Sequence, residues 1–305
     1  MNQPFAIIDL GTSTFKLGIY SPQNALVLEQ VFAVGLGEGI EKGFISPQAF
    51  ERGLACLAKI AHILAQKNVL AHRAIGTSAL RNASNGAVFV QEALALTGIA
   101  ITVINGSQEA LLIYKGVQAA SVLGDAPTLI LDIGGGSVEC IVADAQGVHW
   151  HKSFEVGTSR LAHLFAHQSP ILPTEIQAVA HYVATQLTEL ILYAKSHKIR
   201  HLCGASNAFD SLSELITGAF RPSNFFEKNT NFTYKKTEYD WVKNLILQAT
   251  TAQIEALPQI PQARKPVMVL AMVLIDTLVQ QLEISHITAT KFSLKEGICA
   301  EFLEG

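Results

Sequence analysis

Apolar residues fall into short blocks from the first positions of the chain. Phe5-Ala-Ile-Ile8 and the runs at 15–20 and 25–32 are each bounded by turn-forming residues, a pattern that predicts three successive strands at 5–10, 15–20 and 25–32. After the glycine-rich stretch Val34-Gly-Leu-Gly-Glu-Gly-Ile40 the period changes. Phe50, Leu54, Leu57, Ala61 and Leu64 share one face of a predicted helix reaching about Lys67, with Ser46 as N-cap and Pro47 in the first turn. A strand at 69–75, a polar loop at 76–85, a helix at 86–96 stopped by Gly98, a strand at 99–104 and a helix capped by Ser107 and running to about Val122 follow. The second half repeats the scheme. Strands are expected at 128–132, 138–144 and 148–154, then helices at 159–165 and 174–197, a strand at 200–203 and another helix. A polar region with aromatics spans 218–237, followed by helices at 238–256 and 266–282, a strand at 286–289 and a helix at 294–303. Strands alternating with helices in two similar halves predict an α/β fold of two domains facing a cleft, with Gly124-Asp-Ala-Pro127 as the hinge.

One unit occurs twice. Asp9-Leu-Gly-Thr-Ser-Thr-Phe-Lys16 and Asp132-Ile-Gly-Gly-Gly-Ser-Val-Glu139 both follow a buried-type strand and lead into a second one. Gly134, Gly135, Gly136 and Ser137 present little side-chain bulk, so consecutive backbone N–H groups can approach an anion closely. Asp9 and Asp132 take matching places at the strand ends. Two carboxylates facing one cleft suit Mg²⁺, which keeps several waters and shares phosphate oxygens. No GxxxxGK[ST] and no strand-linked GxGxxG occurs, which removes the P-loop and the dinucleotide fingerprint.

Composition narrows the picture further. Hydrophobic residues make up 49% and charged ones 15% of 305 residues, as in a well-buried globular protein. A net charge of −3 argues against nucleic-acid binding through a basic surface. Cys56, Cys140, Cys203 and Cys299 are scattered, without CxxC, and read as reduced core thiols of a cytoplasmic protein. There is no basic, signal-like N-terminal stretch. The apolar run 266–282 contains Asp276 and is short for a membrane span, so a buried helix is expected and no membrane partner.

The two Asp-x-Gly turns resemble those of the actin-like ATPase superfamily. Between them, Gly76-Thr-Ser-Ala-Leu-Arg-Asn-Ala-Ser-Asn85 and Ile104-Asn-Gly-Ser-Gln-Glu-Ala110 are similar to two blocks of the exopolyphosphatase / guanosine pentaphosphatase family. Leu36-Gly-Glu-Gly39, the stretch 157–161 and Lys295-Glu-Gly297 fit the same family, and the resemblance spans essentially the whole chain; longer members continue into a helical domain. It implies two actin-like (ribonuclease H-like) domains, 1–124 and 125–305, around an interdomain cleft. It implies Glu109 as base for the attacking water, Glu139 as a second catalytic and metal carboxylate, and Asp9 and Asp132 as the other metal ligands. Thr12, Ser13, Lys16, Arg81, Asn85, Gly134, Gly135, Gly136, Ser137, Gly204, Ser206 and Arg264 become substrate contacts, and Mg²⁺ the cofactor. Gly204-Ala-Ser-Asn-Ala208 is similar to the family's Gly-Ala-Ser-Gly-Thr turn, with Asn207 and Ala208 replacing glycine and threonine. Ser13, Gln108, Leu111 and Val138 also depart from the usual residues.

The function so implied is Mg²⁺-dependent removal of terminal phosphate from inorganic polyphosphate, with a possible homodimer as the assembly. Guanosine pentaphosphate hydrolysis is the alternative substrate, and a non-catalytic alarmone or nucleotide sensor the alternative of another class. His163 and His167 have zinc-compatible spacing but no third ligand, and read as a surface pair. Phe225, Phe226, Phe232, Tyr234 and Trp241 beside Lys228, Lys235, Lys236 and Lys243 could stack a guanine, although a packed lid or dimer contact suits them better.

Overall fold

A computed structural model describes residues 3–205, 207–222 and 224–304; Ser206, expected as a substrate contact, lies outside the described residues. The first half contains β1 (Phe5–Leu10), β2 (Thr14–Tyr20), β3 (Leu26–Ala33), α1 (Pro47–Gln66), β4 (Ala71–Gly76), α2 (Ser78–Asn82), α3 (Gly86–Thr97), β5 (Ile101–Val103) and α4 (Gly106–Ala119). The second contains β6 (Thr128–Ile133), β7 (Val138–Ala143), β8 (Val148–Phe154), α5 (Thr158–Leu164), α6 (Pro173–Gln186), α7 (Thr188–Ser196), β9 (His201–Ala205) and α8 (Ala208–Phe220). It continues through α9 (Phe225–Lys228), β10 (Asn231–Tyr234), α10 (Lys236–Gln248), α11 (Thr251–Glu255), α12 (Met268–Gln281), β11 (His286–Thr290) and α13 (Leu294–Glu304).

The strands form two sheets, ordered β3-β2-β1-β4-β5 and β8-β7-β6-β9-β11-β10. In each, an antiparallel three-strand meander passes into parallel strands on the far side of its first strand. This is the ribonuclease H-like order, present twice, so the fold is the expected α/β pair of actin-like halves. β1 and β6 are buried along their whole length because each sits between two strands and is covered on both faces. β3 alternates exposed and half-buried residues because it is an edge strand.

Three apolar cores follow. α1 and α3 cover one face of the first sheet, where Ile8, Leu10, Leu57 and Phe89 meet. The largest core gathers α6, α8, α10 and α12 against the second sheet. The third lies between the sheets: Phe5 and Ile7 of β1 and Ile130 of β6 share it with Ile113 of α4 and Ile298 of α13. α13 therefore packs on α4 and on β1, although it follows the second sheet in sequence. The crossing is close. A Cβ on Gly297 would lie 1.7 Å from the Leu112 carbonyl oxygen, so only glycine admits this approach.

Several expectations are corrected. The helix expected at 174–197 is two, α6 and α7, separated at Leu187. The cap of α4 is Asn105, not Ser107: Asn105 and Gln108 form a reciprocal capping box. The region 218–237 holds a further edge strand, β10, added antiparallel to β11. α12 is buried almost throughout, and its Asp276 accepts a hydrogen bond from Tyr239 at 3.0 Å and faces Lys243 at 3.4 Å. Among the described residues no helix is long and apolar enough to cross a membrane.

Candidate active site

The two hairpins are built alike down to their closing bonds. Gly11 N–H donates to Thr14 O at 3.1 Å, and Gly134 N–H to Ser137 O at 3.0 Å. Their registers place Asp9 opposite Lys16 and Asp132 opposite Glu139. The turns meet each other. A Cβ on Gly135 would stand 2.4 Å from Ser13 Oγ, and one on Gly136 2.6 Å from Thr12 Oγ1. Ser13 Oγ also lies 3.3 Å from Ser159 Oγ of the second half. The duplicated units thus face one another at a cavity of about 550 Å³.

Neighbouring loops fix which way the turn peptides point. Thr158 and Ser159 donate to the carbonyls of Gly134 and Gly135 at 3.0 and 2.9 Å, and the Gly136 carbonyl accepts from Gly157 N–H and Arg160 Nε. A trans peptide sets N–H opposite to C=O. The amides of Gly135, Gly136 and Ser137 therefore point away from α5, as an anion nest requires. In the first copy the glycine-rich loop orients the turn in the same way, since Val34 and Gly35 donate to Ser13 O, and Gly37 to Thr12 O.

Of the eight carboxylates that line this space, four are buried and come from both halves: Asp9, Asp132, Glu109 and Glu139. Burial pushes the Asp9 carboxyl up to about 6, against the pull of Lys16. Burial likewise pushes Glu109 up to about 7, opposed by Arg81, which donates to Glu109 Oε2 at 2.9 Å. Asp132 is raised by burial, although Ser293 and Asn207 donate to its two oxygens. Glu139 is raised well above its ordinary value, first by burial and then by Glu109, while Ser153 donates to it at 2.7 Å. Taking several anionic groups out of water together is costly unless cations or protons accompany them.

Of the expected substrate contacts, Thr12, Ser13, Lys16, Gly134, Gly135, Gly136, Ser137 and Arg264 line the cavity. Arg81 does not; it lies behind Glu109, also bonded to Ile104 O, with Glu155 3.6 Å away. Asn85 is placed elsewhere: its amide donates to Ile45 O and accepts from Ile45 N–H, both at 2.9 Å, and ties down the loop before α1. Gly204 is not among the residues that line the cavity either, and the Phe209 ring fills the space a Cβ there would need. The sequence reading missed Asp210, raised to about 6 by burial, and Ser293, which holds Asp132. A first-turn aspartate and a serine before a helix carry no pattern that separates them from ordinary caps.

Among the described residues no three His, Cys, Asp or Glu side chains converge as a metal cage, so Asp9, Asp132 and Glu139 do not form a closed ligand set. The donor chemistry still suits Mg²⁺, which is commonly held by one or two carboxylates together with water and substrate phosphates. Asp9 is raised first by burial and further by the charge of Asp132, against the pull of Lys16, so a cation bound there would favour its ionised form.

Comparison with known proteins agrees with this geometry. A profile of the Ppx/GppA phosphatase family matches residues 21–304. The chain belongs to the Ppx/GppA phosphatase family. The crystal structure of an exopolyphosphatase from Cytophaga hutchinsonii superposes with a TM-score of 0.95 at 32% identity, covering 99% of this chain and 98% of that one. A Ppx/GppA family member from Aquifex aeolicus shares the fold, at 18% identity and a TM-score of 0.80 over 99% of this chain and 98% of that one. A guanosine-5'-triphosphate,3'-diphosphate pyrophosphatase from Pseudoalteromonas translucida is 27% identical over 304 residues, 98% of this chain and 59% of its own length. One from Aliivibrio fischeri is 37% identical over 150 residues, 47% of this chain and 30% of its own length. The chain thus spans less than two thirds of these curated relatives.

Proposed function

We propose that this Ppx/GppA phosphatase hydrolyses the terminal phosphoanhydride bond of inorganic polyphosphate in the cleft between lobes 1–124 and 125–305. The observation that carries the reading is the meeting of the two Asp-x-Gly turns over one cavity with four buried carboxylates. The terminal phosphoryl group sits against the amides of Gly135, Gly136 and Ser137 and the hydroxyls of Thr12 and Ser13. Lys16 offsets its charge. Glu109, held by Arg81 through Oε2, takes a proton from water as the water oxygen bonds to phosphorus. The anhydride P–O bond breaks, and the shortened chain leaves with the bonding electrons. Glu139 helps to place the water from the other side. Asp9 and Asp132 would hold Mg²⁺, which when bound supplies positive charge to the anhydride oxygens. Positioning and charge stabilisation dominate such a reaction.

A second substrate is favoured by one specific observation. Phe226, Lys291, Ser211 and Gln259 also line the cavity, and Ser211 Oγ and Gln259 Oε1 are buried with no hydrogen-bond partner among the described residues. Lys291 Nζ stands 3.9 Å from the Phe226 ring centre. Unpaired polar atoms and an aromatic ring lining the same cavity suit a nucleoside better than a bare phosphate chain, so guanosine pentaphosphate is the alternative. Phosphate release from long-chain polyphosphate and from guanosine pentaphosphate, each with Mg²⁺ and with EDTA, decides between them. Mg²⁺-dependent release from polyphosphate supports the first reading and release from the nucleotide alone supports the second. Tight binding with no release from either would leave a sensor.

A further inference from the structure

Asn207 occupies a backbone conformation that asparagine rarely adopts. Its φ of 51° and ψ of −108° match the first central position of a type II′ turn, where glycine is the usual residue. The left-handed well open to asparagine lies at positive ψ, so this residue is strained. Strain persists only where its surroundings compensate for it, and four contacts do so. Asn207 Nδ2 donates to Asp132 Oδ1 at 3.2 Å. Its Oδ1 accepts from Lys16 Nζ at 3.2 Å and from Arg264 Nη2 at 3.0 Å. Its backbone carbonyl accepts from Arg264 Nη1. One amide therefore joins a carboxylate from β6, a cation from β2 and a cation from the loop before α12. Arg264 is itself half-buried, and desolvation lowers its pKa, so an unbonded guanidinium there would be costly.

We propose that Asn207 is a positioning residue that fixes Lys16 and Arg264 against Asp132, so that both cations are aligned before a phosphate chain arrives. The inference rests on the phosphoanhydride reading of the cleft. Arg264 gives Asn207 one N–H from each terminal nitrogen and keeps three further N–H groups, so it can meet a phosphate oxygen while it is held. A glycine at 207 would keep the turn, and with less strain, but would remove the amide. This chain carries the strained side chain where the resembling turn has glycine, and a purely structural turn gains nothing from it.

The test is Asn207→Gly beside Asn207→Asp in the full chain. Asn207→Gly should fold with a cooperative melt and a Tm within a few degrees of the parent, because its backbone is relaxed. Its affinity for tripolyphosphate, measured by calorimetry without divalent metal, should fall about tenfold, and kcat/KM should fall by at least the same factor, because a small displacement of aligned charges is enough to cost this much. Asn207→Asp keeps the acceptor for both cations but sets a second carboxylate against Asp132, and should bind tripolyphosphate more weakly still. Parent-like binding and turnover in Asn207→Gly, or tighter binding, would overturn the proposal. If the parent itself releases no phosphate, the catalytic reading fails, while the metal-free calorimetry still decides the role of Asn207.

Discussion

Glu109 is held between two demands. Burial favours its protonated form and Arg81 favours its charged form, and the balance stands near pH 7. A base must be ionised to accept a proton, so kcat/KM should rise with pH through about 7 and then level. Glu109→Gln should lower kcat by about 10²–10⁴-fold and remove that acid limb, with far-UV circular dichroism unchanged. A pH–rate profile on both proteins measures this, and an acid limb surviving in Glu109→Gln would assign it to another group. Glu109 was legible only through its neighbouring block, since a first-turn glutamate is otherwise unremarked. Asn85 shows the opposite case: its block was recognisable, yet its amide serves the Ile45 backbone. A motif reports that a residue is needed, not whether chemistry or loop geometry needs it.

At the scale of elements, the Asp-x-Gly hairpins were readable because their strands and turns are local. That they oppose each other was inferred from the duplication, and the tight contact between Gly135, Gly136 and the first turn bears this out. β10 and the break between α6 and α7 were not readable. β10 lies in a stretch of lysines, asparagines and aromatics that reads as one polar region, and Leu187 carries no breaker. The close contact makes a prediction. A Cβ at Gly136 would stand 2.5 Å from Ser78 Oγ and 2.6 Å from Thr12 Oγ1, so Gly136→Ala should turn these hydroxyls away or push the two turns apart. It should cost about 1–3 kcal/mol of stability and reduce kcat/KM roughly 100-fold. A thermal melt and a phosphate-release assay check this; parent-like kcat/KM would mean that the spacing of the turns does not matter.

Across the whole molecule, the buried acids link charge to stability. Asp9 and Asp210 are raised to about 6 and Glu109 to about 7. A group whose pKa is higher in the folded chain stabilises the fold fully below its unfolded pKa and loses that contribution as pH rises through the folded value. Metal-free protein should therefore melt at progressively lower temperature between pH 5 and 8, by about 2–4 °C for each kcal/mol lost. Glu38, Asp144 and Glu238 are lowered by their hydrogen bonds and act below that window. Mg²⁺ should flatten the trend by favouring the ionised carboxylates. Differential scanning calorimetry with and without Mg²⁺ tests this, and a pH-independent metal-free Tm would contradict it.

The seat of α13 on β1 bears on how the chain is made. The first strand leaves the ribosome nearly three hundred residues before the helix that covers it. Until then Phe5 and Ile7 have an incomplete cover, and the early sheet carries an open apolar flank through most of synthesis. Nascent chains arrested before residue 294 should be bound by chaperones that grip exposed hydrophobic segments, and should be released once α13 emerges.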